Sequence, residues 1–230
     1  GYDPAAKIEE LRDIARDIEA SLGKDDQLTP LLVSMVEEYV QVIEMLQARG
    51  TRRFWELSRQ LYGSPKDRFF EDKNTILELS KLLYDILGRI EDASLGPPQH
   101  EDMDAADAVR RLNERFAKYF DGSDGVHAKI SDGIIADAAA GGDTVKIRQG
   151  AMFSRREVDI LEVHEGWVHV GTTQNGLHQR VAKWLSKGTP RCSSTQEGLA
   201  VLMEIFTFRS HPMRARAIND RILGIDKAED

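Results

Sequence analysis

The run His164-Glu165-Gly166-Trp167-Val168-His169 holds two of the chain's six histidines, with a carboxylate beside the first. Imidazole nitrogen is a good zinc ligand, and a carboxylate next to a metal site can take a proton from water. The usual zinc-peptidase spacing is H-E-x-x-H. Here it is H-E-x-x-x-H, one residue longer. In a regular α-helix an i,i+4 pair lies about 40° apart around the axis and an i,i+5 pair about 140° apart. His164 and His169 can therefore share a metal only if the helix absorbs the extra residue. A π-turn does this, because its hydrogen bonds run from i to i+5, and Gly166 inside the interval would ease the distortion. A local π-turn over residues 164–169 is expected. Without it the pair is two solvent-facing or core imidazoles.

The flanking residues place this run on a helix. Ser154-Arg155-Arg156-Glu157 has the capping-box form, so a helix begins near Arg155. Val158, Ile160, Leu161, Val163, Val168 and Val170 make it mostly buried, and Asn175-Gly176 is a plausible stop. A third ligand should come from another element, and Glu197 is the candidate, at the start of an apolar helix over Leu199 to Phe208. Ser194-Thr195-Gln196-Glu197 is itself a capping box, so Glu197 could simply cap. His178 is the rival ligand. Gly198 is a poor helix-interior residue, which fits a close approach by the histidine helix. Glu204, seven residues past Glu197, shares its face and could orient a ligand histidine. Trp167, between the two histidines, is read as a core residue.

The rest of the chain supplies a scaffold. Ile8, Leu11, Ile14 and Ile18 recur at helical steps up to Gly23. Thr29-Pro30 opens a second helix that runs to Gly50, Phe54 to Leu61 suggests a third, and Ile76 to Ile86 a fourth. Leu95-Gly96-Pro97-Pro98-Gln99-His100 marks a boundary, since two prolines and a glycine stop helices. It divides an N-terminal helical region, 1–95, from a region 96–230 that carries the histidines. Ala105 to Tyr119 reads as a helix with Val109, Leu112, Phe116 and Tyr119 on one side. Thr144 to Arg148 alternates like a strand, while Ala136 to Gly142 reads as a turn or connection. The fold class is α+β, predominantly α-helical, with a small β-sheet.

Bulk properties exclude several classes. The 230 residues are 41% hydrophobic and 30% charged, as in an ordinary globular protein. A net charge of −8 argues against nucleic acid as the main partner. The single cysteine, Cys192, excludes an intrachain disulfide framework and fits a reducing, cytoplasmic compartment. No apolar run approaches the length of a membrane span. Gly1 in place of an initiator methionine, and an end just after a helix-like stretch, lead us to expect a fragment truncated at the C-terminus.

The histidine run together with Gln196-Glu197-Gly198-Leu199-Ala200 resembles the QEGLA-motif proteins of bacteria, which group with the eukaryotic microtubule-associated tyrosine carboxypeptidases. Arg148 to Ser154, Gln174-Asn175-Gly176 and Arg214 to Arg221 extend the resemblance. It implies a zinc metallopeptidase with a zincin-like core. By that analogy His164, His169 and Glu197 bind Zn2+, Glu165 is the catalytic carboxylate, and the substrate is a peptide or protein C-terminus. The eukaryotic relatives remove a C-terminal tyrosine from tubulin, a substrate that a bacterial-looking sequence need not share. A carboxypeptidase also needs a cation for the terminal carboxylate, and a guanidinium suits that role. Arg209, Arg214 and Arg216 are the candidates, unless they are surface charges. The Thr144–Arg148 strand could align an extended peptide by edge pairing. Two competing readings remain: a zinc-binding regulator without peptidase activity, and a helical interaction protein. Metal content and chelator-sensitive digestion separate the three.

Overall fold

Asp3 opens the first helix of the computed structural model, which describes residues 3–87, 89–90, 100–120 and 122–229. The expected boundary at 95–100 lies, up to Gln99, outside the described residues. The described chain forms two compact units. The first comprises Gly1–Ile76, Gly188–Thr195 and Ile225–Asp230, and the second Leu77–Lys187 and Gln196–Gly224. No helix among the described residues is long and apolar enough to cross a membrane.

In the first unit the Asp3 carboxylate accepts from the Ala5 N–H at 2.9 Å and caps α1 (Pro4–Leu22). Gly23 ends it at a φ of 83°, a conformation that costs other residues far more. α2 (Leu28–Gln47) and α3 (Arg52–Tyr62) follow. Met45, Leu57 and Leu61 form the buried cluster that joins α2 to α3, with Val42 and Phe54 against it. The four N-terminal helical runs of the sequence are α1, α2, α3 and α4 (Ile76–Leu87), the last belonging from Leu77 on to the second unit.

The second unit holds the chemistry. β1 (Met103–Asp104) leads into α5 (Ala105–Tyr119), where Asp104 accepts from the Asp107 N–H at 2.8 Å. β2 (His127–Ser131), β3 (Ala138–Gly141) and β4 (Thr144–Arg148) form a three-stranded sheet in the order β2-β4-β3. β4 runs parallel to β2 and antiparallel to β3. β5 (Met152–Phe153) pairs with β1. Leu112 and Phe116 of α5 pack with Val145, Ile147, Val158 and Val170 into one core. Val145 and Ile147 are two apart, hence on one face of β4. The Asn113 amide clamps the Ala128 backbone at 3.0 and 2.7 Å and fixes α5 against β2. Tyr119, expected on the packed side of α5, is largely exposed at the end of the helix.

Two expectations about the sheet are corrected. Ala136 to Gly142 is not a simple connection, since Ala138–Gly141 is β3. Thr144–Arg148 cannot pair with a peptide at an edge, because it is the central strand and both its sides are occupied. The edge is β3. The Arg148 N–H donates to the Asp137 C=O at 2.8 Å. Hydrogen bonding alternates along an antiparallel pair, so the N–H groups of Ala138 and Ala140 turn away from β4.

Candidate metal centre

The helix carrying the histidines starts as its capping box requires. Ser154 Oγ accepts from the Glu157 N–H at 3.3 Å, and the Glu157 carboxylate accepts from the Ser154 N–H at 2.7 Å. α6 (Arg155–Leu161) passes into a π-helical segment, Glu162–Val170, and then into α7 (Gly171–Leu177). The π-turn brings the rings of His164 and His169 to 5.0 Å between centroids. Gly166 has a further reason beyond easing the distortion: a Cβ there would lie 2.4 Å from Phe116 Cε1. The helix ends one residue past Gly176, close to the expected stop, and Gly176 also serves packing. A Cβ at that position would meet the Ser186 backbone at 2.2 Å, and α7 runs on to Leu177.

A buried charge cluster anchors the start of the π-segment. Glu162, 1% exposed, is paired with Arg115 of α5 and accepts from Arg209 Nη1 at 2.8 Å. Arg115 also meets Asp159 at 2.7 Å, and Arg209 donates to the Asp159 carbonyl at 2.8 Å. The Arg209 guanidinium lies 5.3 Å from the ring centre of Trp167, which packs edge-on against Tyr119. Trp167 is half-buried and shares a small cavity of about 220 Å3 with Tyr119 and Phe120, so it is not wholly core. Arg209 is thus fully engaged in structure.

Three side chains converge beyond the π-turn. Glu197 Oε2 is 3.3 Å from His164 Nε2, and Glu197 Oε1 is 3.3 Å from His169 Nε2. One ligand atom from each of the three lies within 4.8 Å of the others. Glu197 projects from α8 (Pro190–Phe206). The helix begins at Pro190, so Ser194–Glu197 is helix interior and the capping reading of Glu197 is overturned. His178 is elsewhere, with Nε2 3.0 Å from Asp124 Oδ1. Gly198 has open space where a Cβ would stand, so close approach does not explain it.

The opposite nitrogens are held as firmly. His164 Nδ1 is 2.7 Å from Glu204 Oε1, and Glu204 is completely buried. His169 Nδ1 is 3.2 Å from Gln196 Oε1. Each oxygen is an acceptor, which favours the proton on each Nδ1 and leaves each Nε2 free for a metal ion when the ring is neutral. Burial resists protonation of His164. The hydrogen bond that His164 donates to Glu204 and the charges of Glu165, Glu197 and Glu204 outweigh it, so its pKa is raised above the ordinary histidine value. Glu204 Oε2 pairs with Arg214 Nε at 2.7 Å, and this cation also comes within 3.5 Å of His164 Nδ1. Two imidazole nitrogens and one carboxylate, with both outer ring nitrogens occupied, form a donor set that fits a divalent metal ion.

Glu165 Oε2 accepts from the Ala140 N–H at 2.9 Å, on the open edge of β3. It lines, with His164 and Glu197, a cavity of about 700 Å3. Arg214 and Arg221 of α9 (Pro212–Glu229) also line it, and Arg216 does not. Residues two apart on a helix point to opposite sides and residues seven apart to the same side. That spacing puts Arg221, and not Arg216, on the cavity side of α9 with Arg214.

The family model described as microtubule-associated tyrosine carboxypeptidase matches residues 1–230, the whole chain. No curated protein and no solved structure matches it.

Proposed function

The chain belongs to the microtubule-associated tyrosine carboxypeptidase family, and from that premise we propose that it is a zinc-dependent carboxypeptidase acting on the C-terminus of a peptide or protein. His164, His169 and Glu197 would hold Zn2+. Two imidazoles and a carboxylate favour that ion over harder ones. The zincin-like catalytic region is residues 96–230, with 1–95 as a helical region beside it in sequence. The observation that carries the reading is the convergence of His164 Nε2 and His169 Nε2 on one carboxylate, each at 3.3 Å.

When bound, the ion supplies Lewis acidity toward water and a peptide carbonyl. The remaining work falls to the chain's own groups. Glu165 Oε2 is occupied by the Ala140 N–H, which leaves Oε1 for proton transfer. Glu165 takes a proton from the attacking water and delivers it to the nitrogen of the leaving residue. Ala138, whose N–H turns outward on the same edge, pairs with the backbone of an extended substrate and lays the scissile bond along β3. Glu204 and Gln196 keep the two rings in one tautomer, and Arg214 offsets the charge of Glu204.

The test is metal analysis of the purified protein combined with digestion of peptides bearing free C-termini. Release of the terminal residue that stops with chelator and returns with zinc supports the reading. Bound zinc without hydrolysis favours a metal-binding regulator, and hydrolysis indifferent to chelator removes the metal from the account.

A further inference from the structure

α9 offers the cavity two guanidinium groups of different standing. Arg214 and Arg221 are seven residues apart, so they leave the helix only about 20° apart, and both line the cavity that contains His164, Glu165 and Glu197. The helix is pinned in that rotation on two sides. Arg214 is tied to the buried Glu204 at 2.7 Å, and the buried Asn219 accepts from Ser80 Oγ of α4 at 3.1 Å. Arg214's charge is therefore matched within the protein. The cavity's Arg148 is likewise paired, with Asp137. Arg221 is exposed, and among the described residues no carboxylate lies within ion-pair distance of it.

An unmatched guanidinium beside a reactive site is suited to one ligand chemistry above others. Its forked donors meet a carboxylate with two parallel hydrogen bonds. We propose that Arg221 binds the α-carboxylate of the substrate's terminal residue and so restricts the site to free C-termini. This rests on the carboxypeptidase reading and deepens it. It assigns Arg221 to substrate recognition and Arg214 to orienting Glu204 and, through it, His164. The acidic groups on the cavity wall, Glu101, Glu157 and Glu165, disfavour a carboxylate bound anywhere except against a free cation.

The experiment reads binding rather than turnover. A dye-labelled peptide ending in tyrosine, and the same peptide as its C-terminal amide, are titrated by fluorescence anisotropy. The protein carries Glu165→Gln so that the peptide is not consumed. With Arg221 present, the acid is expected to bind about ten- to a hundredfold more tightly than the amide, as for a charge-assisted pair. Arg221→Gln should remove that preference by weakening the acid alone, and Arg221→Lys should keep part of it. Arg221 is exposed and has no ion-pair partner among the described residues, so the melting temperature of the variants should not change. Equal affinity for acid and amide with Arg221 present, an undiminished preference in Arg221→Gln, or no binding of either peptide would overturn the assignment. Chelator-insensitive hydrolysis by the unmutated protein would count against the metal reading and leave this comparison intact.

Discussion

Glu204 stands directly behind His164: its Oε1 is 2.7 Å from the ring's Nδ1, on the side away from Glu197, and none of its surface is exposed. A buried carboxylate in that place sets the ring's tautomer and strengthens its other nitrogen as a donor. Glu204→Ala should therefore weaken metal binding by about ten- to a hundredfold. It should also cost about 1–3 kcal/mol of stability, because His164 and the partly exposed Arg214 lose their acceptor. Competition with a chromophoric chelator reads the first and denaturant unfolding the second. Unchanged affinity would make Glu204 a packing residue only.

Gly166 and Phe116 form a coupled pair. Adding a methyl group at Gly166 places it 2.4 Å from Phe116 Cε1, and overpacking of this kind costs about 1–3 kcal/mol. Gly166→Ala should lower the melting temperature. Combining it with Phe116→Leu should cost less than the sum of the single changes, because the two atoms that collide are then separated. Strict additivity would show that the close contact is not what requires glycine.

Metal removal should be visible in stability. A ligand that binds only the folded state at about a thousand times its dissociation constant adds about 4 kcal/mol. Chelator should lower the melting temperature, and zinc should restore it. In His164→Ala and His169→Ala the two curves should coincide. A chelator effect that survives in both variants would place the metal elsewhere.

Glu165→Gln keeps the shape and loses the base. Hydrolysis should fall by about a hundred- to ten-thousandfold, with zinc content unchanged by metal analysis. Full activity in this variant would remove Glu165 from proton transfer.

Much of this was legible in the residues. The π-turn followed from helical geometry, because one extra residue between two histidines has to be absorbed somewhere. β4 showed in its alternation, and α1 to α5 in their apolar spacing and caps. Other features depended on competition between signals. Ser194–Glu197 has the form of a cap, but Pro190 opens α8 four residues earlier. A proline at a helix start outweighs a motif that lies within the first turns. Ala138–Gly141 carries no alternation to mark a strand, and its pairing with β4 is decided by tertiary contact. The Ala140 N–H that holds Glu165 is a backbone group and leaves no trace in side-chain types. His178 resembled a ligand by type alone, and its partner Asp124 lies far away in sequence.

The account depends on His164, His169 and Glu197 holding one ion. An anomalous-scattering map collected at the zinc edge from crystals grown with zinc tests this most directly. A single peak about 2.0–2.2 Å from both Nε2 atoms and a Glu197 oxygen is the predicted result. A map without a peak there, or with the zinc bound by other residues, would contradict it.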